Sequence, residues 1–170
     1  KAEVVDKPDC IMQEEGVVGL LFSGRLIQRK GLTTLIEALG ILNERLASLK
    51  SRVVVWVEGD GPLRKKYERI INEQQVSQNF IMLGFCQRDQ HRWLLQNCSI
   101  VVLPSLYDSW GIVVDEAIAL GKPVVASTAM GSCRARLGAA PLLFAFEPGD
   151  SEGLASLLAE LLLCDFMFSL

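Results

Sequence analysis

The chain has 170 residues, of which 50% are hydrophobic and 22% charged, and its formal net charge is −3. This composition is typical of one globular domain with a substantial core, and it excludes an intrinsically disordered chain. The small negative charge predicts no nucleic-acid partner, so an anionic ligand would need a local cluster of donors.

Strand-like and helix-like segments alternate along the chain from residue 17 onwards. Short apolar runs predict six strands, at 17–22, 52–58, 80–83, 100–103, 123–126 and 142–146. Helical spacing and turn residues predict helices after them, at 32–46, 63–74, 88–97, 111–120, a short one after 128–132, and 150–163. The short connections predict one Rossmann-like α/β domain over 17–170, with a parallel sheet of about six strands and helices on both faces. Residues 1–16 are predicted to be an N-terminal segment or linker.

The loops at the carboxyl ends of the strands are where such a fold binds ligands. The first loop, FSGRLIQRKG, has Gly24 at the end of the strand, Arg25 directly after it and Lys30 just before the helix. A guanidinium and an ammonium near a helix N-terminus suit a diphosphate. Arg25 and Lys30 could equally be solvated charges of a loop that bind no ligand. For Arg29 this second interpretation is favoured.

The loop after the second strand, EGDGPLR, resembles half of a dinucleotide-binding fingerprint. The G-x-G-x-x-G pattern requires a glycine where this chain has Arg64, so an NAD site is not predicted. We expect this segment to be a strand-to-helix turn that lines a nucleotide pocket. A Walker-type phosphate loop is absent from the sequence.

The loop after the fourth strand, PSLYDSWGIVVDE, is rich in carboxylates. Asp108 lies at the ligand edge, where it could also cap the helix. The backbone N–H groups of 109–112 are expected to point into the same cleft. Glu116, about one turn further on, could accept hydrogen bonds from the vicinal diol of a ribose, or be an exposed helix charge. Asp115 is interpreted as a partner of the helix dipole.

The remaining polar residues give weaker indications. The odd number of cysteines, the absence of a C-x-x-C pair and the single histidine argue against a zinc site and favour reduced thiols in a cytoplasmic protein. The cysteines are Cys10, Cys86, Cys98, Cys133 and Cys164. His91 is interpreted as a surface residue of a polar helix, and the neighbouring Trp93, Leu94 and Leu95 as core contacts. The apolar C-terminal run over 153–170 is predicted to be an amphipathic helix rather than a membrane span.

Through their order and spacing, three segments of the sequence together resemble one known family. They are GRLIQRKG, VEGDGPLR and LPSLYDSWGIVVDEAIALGKPVV. They resemble the C-terminal domain of the large retaining glycosyltransferase family that includes bacterial mannosyl- and glucosyltransferases, sucrose synthases and glycogen synthases. The resemblance runs from about residue 17 to residue 163. It implies a two-domain enzyme with its active site between two Rossmann-like halves. This half would hold the nucleoside-diphosphate sugar, and an acceptor-binding N-terminal domain would precede Lys1.

The resemblance also implies roles for single residues. Arg25 and Lys30 match the family's basic pair on the donor diphosphate. Glu116 matches the second acidic residue of a paired-carboxylate motif, on the ribose hydroxyls, and Asp108 occupies the first acidic position, near the donor sugar. The family usually has Glu where this chain has Asp108, and often glycine where it has Ser109. Further donor contacts are implied at Gly24, Phe85, Ser109, Trp110, Gly111 and Ile112, with the Phe85 loop facing the base.

The reaction implied for the parent enzyme is transfer of a hexose to a hydroxyl acceptor in glycan, polysaccharide or lipopolysaccharide synthesis. Neither a cofactor nor a metal is expected, because the basic pair and a helix N-terminus would stabilise the leaving diphosphate. The expected partners are the donor and the N-terminal domain, without nucleic acid. The expected location is cytoplasmic, and the resemblance leaves open a peripheral association with the inner face of the membrane. A sugar-nucleotide epimerase half-domain and a non-catalytic nucleotide-sugar-binding or interaction module remain alternatives.

Overall fold

The computed structural model describes residues 16–45 and 52–163, together with Pro8 and Ile11. Six strands and six helices alternate along this part of the chain. The strands are β1 Val17–Ser23, β2 Arg52–Glu58, β3 Phe80–Gly84, β4 Ile100–Leu103, β5 Val124–Ser127 and β6 Leu143–Phe146. The helices are α1 Leu32–Arg45, α2 Arg64–Glu73, α3 Arg88–Asn97, α4 Ile112–Ala119, α5 Gly131–Arg136 and α6 Ser151–Leu163. Single turns of 3-10 helix occur at Gln28–Lys30 and Ser77–Asn79.

The six strands form one parallel sheet in the order β3-β2-β1-β4-β5-β6. The predicted Rossmann-like α/β architecture with about six parallel strands is therefore confirmed. From β1 the chain builds outward to β3, returns to add β4 on the other side of β1, and then continues to β6. The order thus reverses between β1 and β4, and the crevice beyond such a reversal is where open α/β sheets bind ligands.

The sheet has an apolar cluster on each face because helices cover both sides. Side chains alternate along β1, so that Leu20 and Phe22 join the cluster of α1, α2 and α6. Leu21 joins the opposite cluster, with α3, α4 and α5. The rings of Trp56 and Trp93 pack in this second cluster with centroids 5.9 Å apart. The prediction of core contacts at Trp93, Leu94 and Leu95 is confirmed, since all three are buried.

The boundaries of several elements differ by a residue or two from the sequence-based prediction. Helix α4 begins at Ile112 and not at 111, because Gly111 has a φ of 86°, outside the helical region. Strand β5 begins and ends one residue later than predicted. The predicted end of α1 at 46, the C-terminal run beyond 163, Cys10 and Cys164 lie outside the described residues. None of the described helices combines the length and the apolar character needed to cross a lipid bilayer.

Candidate functional site

A cavity of about 120 Å³ opens at the carboxyl end of the sheet, where β1 and β4 lie side by side. Its walls come from the ends of these two strands, the loops that follow them, the start of α4 and the loop after β5. The lining residues are Phe22, Ser23, Gly24, Lys30, Leu103, Ser105, Asp108, Gly111, Ile112, Val113 and Met130. The fold thus brings together five of the predicted site residues, which are Gly24, Lys30, Asp108, Gly111 and Ile112.

Lys30 and Asp108 form a salt bridge at this cavity, in which the Lys30 ammonium donates to Asp108 Oδ2. Both side chains are largely buried, with 20% and 9% of their surfaces exposed. The other Asp108 oxygen accepts a hydrogen bond from the Trp110 backbone N–H at 3.3 Å. An ammonium carries three N–H donors, and only the one used by Asp108 has an acceptor among the described residues.

The loop that carries Lys30 packs directly on the loop that follows β4. Gly31 has a φ of 69°, and a Cβ at this position would lie 1.8 Å from the Pro104 carbonyl oxygen. The Leu106 N–H donates to the Arg29 carbonyl at 2.8 Å. Glycine is therefore required at position 31 both for its φ and for the close backbone approach. This contact holds Lys30 next to Asp108.

A second loop fixes the segment from Asp108 to Gly111 from the other side. The Gly131 N–H donates to the Asp108 carbonyl at 3.1 Å, and the Ser132 N–H to the Trp110 carbonyl at 3.0 Å. The hydroxyl of Ser132, which is fully buried, lies within hydrogen-bonding distance of the Trp110 carbonyl oxygen and, at 3.1 Å, of the Gly111 carbonyl oxygen. The sequence indicated only a turn here, so the bracing role of Ser132 was missed.

The N-terminus of α4 faces the cavity. Gly111 precedes the helix, and the N–H groups of Gly111, Ile112 and Val113 have no acceptor within 16–45 and 52–163. Unpaired N–H groups at a helix start carry partial positive charge. The Lys30 ammonium and this helix start therefore contribute positive potential to one small space, although Asp108 offsets the charge of Lys30.

His91 lies between two carboxylates, one on each side of its ring. Its Nδ1 is 2.7 and 2.9 Å from the two oxygens of Glu58, the last residue of β2. Its Nε2 is 3.2 Å from Oε2 of Glu116 on α4. Hydrogen bonding to Glu58 raises the pKa of His91 above its ordinary value, against the opposing effect of burial. The interpretation of His91 as a surface residue is wrong, because α3 packs against the carboxyl end of β2 and leaves the imidazole only 20% exposed.

Glu116 and Glu58 differ in burial. The Glu116 side chain is 44% exposed, whereas that of Glu58 is 9% exposed. Glu116 lies outside the cavity lining, in a groove between α3 and α4 that it shares with His91. Glu58 was missed as a site residue, although its position after the apolar run VVVWV placed it at the ligand edge.

Arg25 and Phe85 are exposed at the same edge of the sheet, in the loops after β1 and β3. The Arg25 guanidinium has no hydrogen bond or ion pair with any residue that the structure describes. The Phe85 ring is 76% exposed. Neither residue lines the cavity, and among the described residues no hydrogen bond or ion pair joins Arg25 to Asp108.

Asp115 has more specific partners than the helix dipole. It pairs with the Arg136 guanidinium and accepts a hydrogen bond from the Trp110 indole N–H at 2.7 Å. The hydrogen bond from Arg136 lowers the pKa of Asp115. The interpretation of Asp115 as only a helix-dipole partner is therefore incomplete, because α5 carries Arg136 to its side chain. This contact also fixes the ring of Trp110, a predicted donor contact.

The glycines of EGDGPLR serve backbone packing. Gly59 has a φ of 121°, and a Cβ there would lie 2.0 Å from the Gly24 carbonyl oxygen. A Cβ on Gly61 would lie 2.5 Å from the Leu26 carbonyl oxygen. The Leu26 N–H donates to the Asp60 carbonyl at 3.0 Å. These contacts seat the loop after β2 on the loop after β1, beside the cavity.

Thiol and metal chemistry have little support in the described residues. Burial raises the pKa of Cys98 to about 12 and also raises that of Cys133, so neither thiol is an activated nucleophile. No group of three or more His, Cys, Asp or Glu residues able to hold a metal occurs within 16–45 and 52–163. The expectation of a metal-independent reaction stays a prediction.

Comparison with known proteins identifies relatives of this arrangement. The family model described as glycosyl transferases group 1 matches residues 13–167. An uncharacterised glycosyltransferase of Methanocaldococcus jannaschii is 35% identical over 112 residues, which are 66% of this chain and 27% of that protein. The lipopolysaccharide core biosynthesis glycosyltransferase LpsE of Rhizobium meliloti is 30% identical over 139 residues, which are 81% of this chain and 37% of that protein.

Solved structures give the same picture of the fold. WaaG, a glycosyltransferase involved in lipopolysaccharide biosynthesis, superposes with a TM-score of 0.76 at 26% identity, over 91% of this chain and 40% of WaaG. HepE of Anabaena, in complex with UDP and glucose, superposes with a TM-score of 0.74 at 25% identity, over 89% of this chain and 40% of HepE. The chain therefore spans well under half the length of each of these relatives.

Proposed function

This chain belongs to the glycosyl transferases group 1 family, and on that premise we propose that it is the donor-binding half of a retaining hexosyltransferase. The donor would be a nucleoside-diphosphate sugar and the acceptor a hydroxyl group. The observation that carries the proposal is the cavity beyond β1 and β4, which is lined by Lys30 and by the start of α4, whose first N–H groups have no acceptor among the described residues. An N-terminal domain of the full-length protein would supply the acceptor site.

The diphosphate is the part of the donor that suits this cavity best. The cavity has a volume of about 120 Å³, which is small beside the roughly 300–1,000 Å³ of pockets that enclose whole ligands. The cavity would therefore take one end of the phosphate chain, and the nucleoside and sugar would extend along the open edge of the sheet. The exposed guanidinium of Arg25, one residue after Gly24, would meet the diphosphate from the rim.

The chemistry that follows is stabilisation of a leaving group. As the bond between the sugar and the diphosphate breaks, negative charge increases on the diphosphate oxygens. The fixed N–H groups of Gly111 and Ile112 and the ammonium of Lys30 would oppose that charge without having to reorganise. Asp108 keeps Lys30 in place and leaves two of its N–H donors for the ligand.

The rest of the donor would be held by groups on either side of the diphosphate. Glu116 offers a partly exposed carboxylate for the ribose diol, and the Phe85 loop lies on the β3 side for the base. Asp108 and the backbone near Ser109 and Trp110 would lie by the sugar. The curated relatives described above carry glycosyltransferase names, which favours a transferase over the epimerase alternative. LpsE and WaaG also favour a role in polysaccharide or lipopolysaccharide synthesis.

Calorimetric titration with UDP, GDP and ADP tests the proposal. We expect at least one of them to bind. The matched variant is Lys30→Met combined with Asp108→Asn, which removes the ammonium without leaving a carboxylate unpaired. It should weaken binding by about 1.5–3 kcal/mol, the scale of a hydrogen bond to a charged group. Lys66→Ala, at an exposed lysine of α2, is the control and should bind like the wild type. The absence of heat with all three nucleotides would contradict the proposal.

A further inference from the structure

The array Glu58–His91–Glu116 connects three separate elements at the ligand edge of the sheet. Glu58 ends β2, His91 lies in the first turn of α3, and Glu116 lies on α4. Exposure increases along the array, from 9% at Glu58 through 20% at His91 to 44% at Glu116. One end of the array is therefore anchored in the protein, and the other end reaches solvent.

The hydrogen positions in this array follow from the donor inventory. A carboxylate only accepts hydrogen bonds, and a neutral imidazole has a single N–H. Both ring nitrogens of His91 are within hydrogen-bonding distance of carboxylate oxygens, at 2.7 and 3.2 Å. Only the imidazolium, with an N–H on each nitrogen, satisfies both contacts. The raised pKa of His91 agrees with this assignment.

The charged groups around His91 come from every element that packs on it. Glu58 faces it from β2 and Glu116 from α4. On its own helix, Arg88, Asp89 and Arg92 line the same groove, and the largest single effect on the pKa of His91 is the hydrogen bond to Glu58, which raises it. A buried carboxylate such as Glu58 needs a compensating charge, and the imidazolium supplies it.

We propose that His91 is a positioning residue, held by Glu58, that fixes the Glu116 carboxylate for the ribose of the donor. One Glu116 oxygen is held by the imidazolium at 3.2 Å, and the other oxygen is left to accept from the ribose hydroxyls. This inference rests on the proposed function, which assigns Glu116 to the ribose. A half-exposed glutamate would otherwise lose rotamer freedom on binding, and the tether reduces that loss.

If His91 only stabilised the fold, its contact with Glu58 would be sufficient and its contact with Glu116 would not be needed. The buried carboxylate of Glu58 is satisfied through Nδ1 alone, and an exposed glutamate on α4 needs no partner for stability. The contact from Nε2 to Glu116 is the part that bears on ligand binding. It makes the ribose contact depend on the protonation of His91, so binding of a ribonucleotide should weaken as pH rises through the pKa of His91.

The first part of the test uses the fact that the chain has a single histidine. NMR titration of the imidazole, in protein without a histidine tag, reports on His91 alone. We expect a pKa above the ordinary value in the wild type and a lower pKa in Glu58→Gln. A wild-type pKa at or below the ordinary value would overturn the proposal, because no imidazolium would then bridge the carboxylates near neutral pH.

The second part measures the affinities of UDP, GDP and ADP and of the 2′,3′-dideoxy counterpart of each, from pH 6 to pH 9. The readout is the affinity of the ribonucleotide divided by the affinity of its dideoxy counterpart, a ratio in which the ionisation of the phosphates cancels. In the wild type the ratio should fall with pH. In His91→Gln it should be reduced at pH 6 by about fivefold, the scale of one hydrogen bond, and be independent of pH. Glu44→Gln, at an exposed carboxylate near the end of α1, is the matched control and should leave the ratio unchanged.

The outcomes separate this inference from the proposed function. If the wild type binds none of the nucleotides, the proposed function fails and the inference with it. If the wild type binds and Glu116→Gln loses the preference for ribose, but the wild-type ratio does not change with pH, the function stands and the role of His91 is refuted. The wild-type pH profile decides this point even if His91→Gln fails to fold.

Discussion

The salt bridge between Lys30 and Asp108 should be strongly coupled, and a double-mutant cycle measures the coupling. Lys30→Met keeps the apolar stem that lies over Gly24, about 3.5 Å from a Cβ built there, but removes the ammonium. Asp108, 9% exposed, would then be a nearly buried carboxylate whose only remaining donor among the described residues is the Trp110 N–H, at 3.3 Å. Leaving one charge of a buried pair uncompensated costs about 3–5 kcal/mol.

The expected cost lies below that range because the pair is not fully enclosed. Lys30 is 20% exposed and the cavity beside it is open, so water can approach Asp108 in the variant. We therefore expect Lys30→Met to lower the free energy of unfolding by about 2–3 kcal/mol. Asp108→Asn should lower it by about 1 kcal/mol, because the amide oxygen still accepts from Trp110. The double variant should be more stable than Lys30→Met alone, since no carboxylate is then left unpaired.

Urea denaturation monitored by circular dichroism measures these changes as shifts in midpoint at constant m-value. In a thermal scan, a loss of about 2–3 kcal/mol corresponds to roughly 4–12 °C for a chain of this length. The coupling energy from the cycle should be at least about 1 kcal/mol, within the range measured for residues in contact. Additive effects of the two substitutions would refute the reasoning, because they would mean that Asp108 does not depend on Lys30.

Three further predictions concern stability and reactivity. Gly59→Ala should lower the free energy of unfolding, measured in urea, by more than about 3 kcal/mol, because the new Cβ would lie 2.0 Å from the Gly24 carbonyl oxygen. The control Gly121→Ala, at a φ of 67° with no atom within 4 Å of the new Cβ, should lower it by only about 1–2 kcal/mol. Equal losses in the two variants would contradict the account. The pKa of His91 is raised in the folded state, so the stability that His91 contributes to the fold is full below the unfolded pKa of 6.5 and is lost as pH rises through the folded pKa. The difference in unfolding free energy between wild type and His91→Gln should therefore shrink with increasing pH. A difference that grows with pH would contradict the raised pKa. Cys98, with a pKa of about 12, should resist alkylation by iodoacetamide at pH 8 in the native protein and react in urea, as peptide mass spectrometry would show; rapid native labelling would contradict its burial.

The fold was predictable from the sequence because each central strand is apolar on both faces. A run such as RVVVWVE has no polar face, which is typical of a parallel strand covered by helices on both sides. Short connections between such runs then leave few topologies. The start of α4 was predicted one residue early because the positive φ of Gly111 depends on the tertiary contact with the loop at 130–132.

The candidate site was predictable only in part. Lys30 and Asp108 were both assigned to the ligand edge, because each follows a strand whose carboxyl end lies there. Their direct pairing across 78 positions of sequence was not predicted, since it depends on the backbone contact between Gly31 and Pro104. His91 was misjudged because the polar residues around it are typical of a solvated helix. Its contact with Glu58 follows from the lateral position of α3 against β2, which no periodicity records.

The most direct test of the central claim is a two-dimensional ¹⁵N–¹H NMR titration of the chain with UDP, GDP or ADP. Binding of the diphosphate beyond β1 and β4 predicts the largest amide shifts at Gly24, Gly111, Ile112 and Val113, which line the cavity. Shifts concentrated instead in the groove lined by Gly40, Asn43 and Gln74, away from the carboxyl ends of the strands, would contradict the account.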